Sequence, residues 1–367
     1  MPIAKVHRIS AAAPNDTSGI EKAIADGLID PAGIVAILGK TEGNGNVNDF
    51  TRGFATLALT LMLEKHIGAR ARDVCLVMSG GTEGAMAPHW TVFERAEGAG
   101  SGSSGPALAI GRAHTPDIKP EQLGRLTQVD VVTTGVRAAM ADAKIADPAD
   151  VHFVQIKCPL LTAQRIAEAQ AREASVATHD TLKSMGLSRA ASSLGVAVAL
   201  AEIEMDAFSD PDIGANAALW SGRASASAGI ELMNHEIVVL GMSAAWSGPL
   251  AIDHAVMADG IDIEPVRDAL ARLGLGAGRQ LSPLERGRLV AVLAKAEASH
   301  DGRLRGHRHT MLDDSDISST RHARAFVAGA LAGLVGHAEI YVSGGAEHQG
   351  PDGGGPVAVI ARRDELP

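Results

Sequence analysis

Three short segments of this 367-residue chain place a serine beside a small residue and a glutamate four positions on. They are Ser79-Gly80-Gly81-Thr82-Glu83, Ser227-Ala228-Gly229-Ile230-Glu231 and Ser343-Gly344-Gly345-Ala346-Glu347. Upstream of each, an apolar run ends in lysine: 34–40 in Lys40, 151–157 in Lys157 and 289–295 in Lys295. Between lysine and serine an arginine follows a hydroxyl residue, in Thr51-Arg52, Ser188-Arg189 and Thr320-Arg321. The order Lys, Arg, Ser therefore recurs three times, which marks an internal threefold repeat. A serine hydroxyl is a weak nucleophile until a neighbouring base takes its proton. Lysine is such a base only when burial or like charges bring its pKa towards neutrality. Three lysines and three arginines converging on one axis supply both conditions. Arginine cannot be the base, but its planar fork suits carbonyl oxygens. A small residue after the serine lets backbone N–H groups approach a developing oxyanion. The matching ligand is a small flat ring with several carbonyls, and the repeat alone leaves open which serine reacts.

Positioning these groups needs a strand ending at each lysine, a strand delivering each serine and a helix between them. Residues 4–9 read as a strand, and Ser18 with Glu21 three positions later reads as a capping box opening a helix over 19–28. A turn at 43–46 precedes a helix from Asp49, with Phe54, Leu57, Leu61 and Leu63 as its apolar stripe. The glycine- and serine-rich stretch 98–105 reads as a flexible link. A second unit opens with a strand at 107–110 and continues with a helix near 135–144, with Val136 and Met140 on one face. A third opens with 237–240 and has a helix over 265–273, with Pro265 in its first turn and Val266, Ala269, Leu270 and Leu273 as its stripe. The expected fold class is α/β. Three similar α/β units, 1–104, 105–234 and 235–367, are arranged around a pseudo-threefold axis.

Composition narrows the function classes. Aromatic residues are only 3% of the chain while glycines number 41, so packing rests on Ala, Val, Leu and Ile with many tight turns. A net charge of -10 without a basic run argues against nucleic acid or an anionic membrane as partner. Cys75 and Cys158 make no disulfide framework, which fits a reducing cytoplasm. The first residues lack a signal-type apolar segment, and no apolar run approaches ~18 residues. Gly39-Lys40-Thr41 is not a phosphate loop, because Ile34 stands where the motif needs glycine. Cys158 follows Lys157 directly and so faces the other side of its strand. His300, Asp301, His307, His309, Asp313, Asp314 and Asp316 form a polar cluster without recognised ligand spacing.

Segments 39–45, 48–52, 78–84, 154–161, 224–231, 294–299 and 342–355 resemble the cyanuric acid hydrolase/barbiturase family, over essentially the whole chain. The resemblance implies three domains about a pseudo-threefold axis, three Ser–Lys pairs lining one site, and hydrolytic opening of a cyclic amide. The substrate it implies is cyanuric acid, opened to carboxybiuret and then biuret and CO2, with barbituric acid in the same site as the alternative. It assigns Lys157 as base and Ser227 as nucleophile. Arg52, Ser79, Gly80, Arg189, Ser227, Ala228, Arg321, Ser343 and Gly344 form the substrate-binding set, with Lys40 and Lys295 in support. Ser227 is also the one serine followed by alanine. Ser225 is a rival in register, but the Glu231 spacing favours Ser227, and Arg324 is the alternative to Arg321. The resemblance implies no organic cofactor. It does imply a structural divalent metal held by Glu297 and backbone carbonyls of Ala346, Gln349, Gly350, Pro351 and Gly354. Such hard oxygen ligands suit Mg²⁺ or Ca²⁺. A homo-oligomer, a tetramer, is implied as well. Two other classes stand beside this reading: a metal-dependent hydrolase using the His/Asp cluster, and a non-catalytic anion-binding module.

Overall fold

A computed structural model describes residues 1–98, 105–276 and 278–363. The first unit runs β1 (Pro2–Ser10), α1 (Ser18–Ala25), β2 (Ile34–Thr41), α2 (Phe50–Ile67), β3 (Cys75–Gly80) and β4 (His89–Glu97). The second runs β5 (Ala107–His114), α3 (Leu126–Asp142), β6 (Val151–Pro159), α4 (Ala163–Ala171), α5 (Thr181–Ala199), β7 (Ala224–Gly229) and β8 (Glu236–Ser243). The third runs β9 (Leu250–Met257), α6 (Glu264–Arg272), α7 (Pro283–Arg288), β10 (Leu289–Ala296) and a small hairpin of β11 (Arg303–Leu304) and β12 (His307–Arg308). It ends with α8 (Ser319–Val335), β13 (Tyr341–Gly344) and β14 (Gly355–Arg362).

Each unit builds the same four-stranded sheet. The orders are β1-β4-β2-β3, β5-β8-β6-β7 and β9-β14-β10-β13. In each, the lysine strand pairs in parallel with the serine strand and antiparallel with the unit's last strand. The architecture is thus three α/β units about a pseudo-threefold axis. Strand periodicity explains how they join. Ile37, Val292, Val357 and Val359 face helices of their own unit, whereas Ala36, Leu38, Ala291, Leu293, Ala358 and Ile360 enter one core shared by all three units. Both faces are covered, so these strands read as nearly continuous apolar runs. Alanine on the inner faces lets the three sheets approach closely.

Four expectations change. Residues 237–240 do not open the third unit. They lie in β8, which pairs with both β5 and β6, and the third unit's first strand is β9. The expected boundary at 234/235 therefore falls inside the second unit. The capping box at Ser18 does not form. Asp16 Oδ1 takes the Ser18 N–H and hydroxyl, and Thr17 occupies the cap position without a side-chain cap. Along α2, Phe54, Leu57 and Leu61 are exposed, and the buried face is Arg52, Ala55, Leu59, Met62 and Leu63. The helix is rotated to bring Arg52 inward. The third unit's stripe is shorter, since Leu273 caps α6 and only Val266, Ala269 and Leu270 are buried. Residues 99–104 of the expected link lie outside the described residues.

Candidate active site

The parallel strand pairs set the three lysines directly opposite the three serines: Lys40 opposite Ser79, Lys157 opposite Ser227 and Lys295 opposite Ser343. Side chains at matched positions of neighbouring strands share a sheet face, so each pair points into the shared interior. All three lysines are buried. Each reaches the carbonyl that precedes another unit's serine. Lys40 Nζ donates to Val342 O at 2.8 Å, Lys157 Nζ to Met78 O at 3.0 Å and Lys295 Nζ to Ala226 O at 2.9 Å. Lys40 and Lys295 also donate to their own serines, at 3.2 and 3.3 Å. Lys157 differs. Its Nζ lies 2.8 Å from Glu231 Oε1, and Ser227 Oγ instead meets Ser343 Oγ at 3.1 Å.

Burial lowers the pKa of all three lysines, since a charged amine loses hydration. Lys40 is held well below its ordinary value by burial and then by Arg324. Lys295 comes down to about 7 through burial and Arg189. Lys157 is also lowered by burial, with the Glu231 carboxylate acting against the shift.

Arginines link the units in the opposite sense. Arg52 donates to Ala228 O at 2.8 Å. Arg189 grips Glu347 through Nε and Nη2 at 2.8 and 2.6 Å. Arg324 grips Glu83 through the same two nitrogens at 2.9 and 2.7 Å. This identical fork makes Arg324 the counterpart of Arg189. Arg321 only touches Glu83 with Nε, and its side chain is 36% exposed against 3% for Arg324. The choice of Arg321 from the repeat pattern is therefore corrected, because the phase of α8 aims Arg324 inward. A narrow cleft is lined by Gly45, Arg52, Met78, Ser79, Gly80, Met185, Arg189, Ser227, Ala228, Arg324, Ser343 and Gly344. Ser225 stays outside it, donating to Gln155 Oε1 at 2.8 Å. Glycine is required where the arginines pack. A Cβ at Gly345 would lie 2.5 Å from Arg189 Cζ, and one at Gly81 would lie 2.4 Å from Arg324 Nη2.

Three contributors escaped the sequence reading. Asp49 caps α2 through the Thr51 N–H and also accepts the Gly45 N–H at 2.8 Å, which orders the loop before Arg52. Tyr341 is the chain's single tyrosine and stands two residues before Ser343, on the same strand face. Burial pushes its phenol pKa up, while Ser227 and Ser79 act in the other direction. The glutamates of the repeat served only to fix its register, although two of them anchor the arginines. Cys158 is buried on the opposite face of β6 from Lys157, beside Ser188 and Ser192 of α5, and burial raises its thiol pKa.

The metal residues implied by the resemblance divide. Glu297, Ala346, Gly350 and Pro351 border one cavity of about 310 Å³, together with Glu347, His300 and Asp352. Glu297 is half-buried at the cavity edge, and desolvation and the Glu347 charge push its carboxyl pKa up, so a divalent cation fits the charge of this place. Gln349 and Gly354 do not border the cavity. The Gln349 side chain accepts from Ala226 N–H and donates to Gly345 O, and the Gly354 N–H bonds Pro351 O. Among the described residues, one further group could ligate a metal: His152, Asp253 and His254, with ligand atoms within 4.8 Å of one another. His152 Nδ1 and His254 Nδ1 meet at 3.0 Å, and Arg272 holds the Asp253 carboxylate. A proton shared between the two rings satisfies this group without an ion. Within the 300–316 cluster, His309 bonds Ser299, while Asp314 binds His322 and Asp313 binds Arg308.

Comparison with known proteins gives the family of the whole chain. The chain matches the model of the amidohydrolase ring-opening protein family over residues 5–362. It is 67% identical to a cyanuric acid amidohydrolase of Azorhizobium caulinodans, over 99% of each chain. It is 60% identical to one from a Bradyrhizobium species, over 98% of each. The crystal structure of the A. caulinodans cyanuric acid hydrolase superposes with a TM-score of 0.93 at 66% identity, covering 99% of this chain and 100% of that one. A second cyanuric acid hydrolase structure, described as evolutionary innovation by structural concatenation, superposes with a TM-score of 0.94 at 49% identity and the same coverage. From strand β1 to strand β14, this chain belongs to the family of ring-opening amidohydrolases.

Proposed function

We propose that this enzyme opens the cyanuric acid ring by hydrolysis, with Ser227 as nucleophile and Lys157 as its base. The observation that carries the reading is the convergence of three in-register Lys–Ser pairs and three arginines on one cleft. Neutral Lys157 takes the Ser227 proton as Oγ bonds to a ring carbonyl carbon. The lysine proton then passes to the ring nitrogen as the C–N bond breaks, leaving an acyl-serine. Water cleaves that ester to give carboxybiuret, which loses CO2 to give biuret. Arg52, Arg189 and Arg324 hold the ring carbonyls, and backbone N–H groups beside Gly80, Ala228 and Gly344 face the oxyanion. Lys40 and Lys295 hold Ser79 and Ser343 as hydrogen-bonding walls. The named relatives act on cyanuric acid, which supports this substrate. Barbituric acid replaces one ring N–H by CH2, so one buried polar group loses its partner, a cost of about 1–3 kcal/mol. Product analysis and kcat/KM for the two rings test the proposal. A higher value for barbituric acid overturns the substrate, and an active Ser227→Ala enzyme overturns the nucleophile.

The Glu297 loop, with carbonyls of Ala346, Gly350 and Pro351, is proposed to hold Mg²⁺ or Ca²⁺. When bound, the ion would neutralise carboxylate charge at the cavity edge and stiffen the turn after Ser343, and it breaks no bond. Two buried free cysteines support a cytoplasmic location. No helix among the described residues is long and apolar enough to cross a membrane. Phe50, Phe54, Leu57 and Leu61 form an exposed apolar stripe on α2, which supports a homo-oligomer such as a tetramer. Light scattering tests that assembly, and a monomer at micromolar concentration overturns it.

A further inference from the structure

The three glutamates that follow the serines occupy equivalent places in the repeat but not equivalent contacts. Glu83 and Glu347 are each held by a two-nitrogen fork from an arginine of another unit. Threefold symmetry would give Glu231 to Arg52. Instead Arg52 turns to the carbonyls of Ala228 and Asn46, and Glu231 lies against Lys157 at 2.8 Å. The cause is local. Gly81 and Gly345 turn with φ of +103° and +77°, where an arginine packs on them. Gly229 has no positive φ and remains within β7, one residue past the point where β3 and β13 end. Ala228 stands where the other two units have glycine. The straightened chain carries Glu231 back over Gly229, so that a Cβ there would lie 1.9 Å from Glu231 Oε2. Both Glu231 oxygens are buried, and neither makes an aligned hydrogen bond.

We propose that Glu231 is a positioning residue for Lys157, holding its ammonium in the second unit and balancing the charge that appears there when Ser227 gives up its proton. This rests on the reading of Lys157 and Ser227 as the reacting pair. Bond by bond, the Ser227 O–H proton moves to Lys157 Nζ, and the new cation finds a carboxylate already in place. The same proton later leaves for the ring nitrogen. Lys40 and Lys295 have no such carboxylate within ion-pair distance among the described residues; Glu83 and Asp49 act on Lys40, and Glu347 and Glu297 on Lys295, only from farther off. The charged and titratable groups around Lys157 are Glu231, Arg52, Cys158 on the other face of its strand and, opposite it on β8, Glu236.

The test is the pH profile of kcat for Glu231→Gln, with Glu231→Asp and Ser227→Ala alongside. Removing the carboxylate lowers the lysine pKa, so the acid limb moves to lower pH by about one unit while kcat on the plateau falls about tenfold or more. KM stays within about twofold, because Glu231 does not touch the ring in this scheme. Glu231→Asp keeps the charge at a longer distance, and its limb moves part of the way. A merely structural role would lower the melting temperature and leave the limb in place. An acid limb at the wild-type position in the folded variants overturns the proposal, and if Glu231→Gln does not fold, Glu231→Asp decides alone. Wild-type turnover by Ser227→Ala overturns the underlying dyad instead, so the two failures are distinguishable.

Discussion

The second and third units carry the same lysine and serine on matching strands and the same glutamate four residues after the serine, yet their electrostatics diverge. In the third unit Lys295 donates to Ser343, and Glu347 is occupied by Arg189. In the second unit Lys157 is drawn to Glu231, and Ser227 leans on Ser343. The scaffold fixes where the groups stand. What each group is bonded to depends on a few backbone torsions after the serine, where Ala228 replaces glycine. A threefold frame can therefore hold one chemically distinct site among two supporting ones.

The sharpest way to break this comparison is to remove each serine in turn. Ser227→Ala is expected to lose about three powers of ten or more in kcat, as nucleophile removal does in serine hydrolases. Ser79→Ala loses the hydrogen bond from Lys40 and Ser343→Ala those with Lys295 and Ser227, and each should cost about one to two powers of ten. Equal losses in single-turnover assays would mean that the units are not specialised. Acidity probes the same contrast. Burial lowers the Lys157 pKa below that of an ordinary lysine, so the neutral base is reached at lower pH than in water. Below that pKa, kcat should fall about tenfold per pH unit, and it should level off above it. Lys157→Arg, which stays charged, should be inactive across the whole range. A flat profile would remove Lys157 from the role of base.

The arginines provide a smaller contrast. Arg324→Lys breaks the fork to Glu83 inside the cleft and should lower kcat/KM about tenfold or more. Arg321→Lys, outside the cleft, should stay within about threefold. Reversal of that order would restore Arg321 as the ring-binding residue. The smallest effect on chemistry is expected at the metal loop. Glu297→Ala should lower Tm by several degrees while kcat of the folded enzyme changes by less than about tenfold. Exhaustive chelation that stops turnover without lowering Tm would favour a catalytic metal.

Much of this arrangement was legible in the sequence for a physical reason. A strand's two-residue period ties Lys40, Lys157 and Lys295 to one face, and three copies of the pattern remove the ambiguity of any one. Where the reading failed, local pattern could not decide a distant choice. The run 237–240 is apolar whichever sheet it joins, and only its pairing with β5 and β6 assigns it to the second unit. On α2 two stripes fit a helical period. The more apolar one is exposed, because the other carries Arg52 into the cleft. Arg321 and Arg324 are three residues apart on α8, so one helix turn offers either. The packing of Arg324 on Gly81 and its fork to Glu83 make the choice.

The alanine at 228 has a consequence for heredity. In a ring of three identical subunits, one codon specifies all three copies of a residue. A change that suits one corner is then imposed on the other two. Gly80 shows the penalty, since a Cβ there would lie 1.8 Å from Asp49 Oδ2, and at Gly344 it would lie 2.4 Å from Thr320 Cγ2. A methyl group tolerated at one corner of the axis collides at both others. Joining the three units into one chain gives each corner its own codon, so selection can act on one corner while the other two keep their glycines.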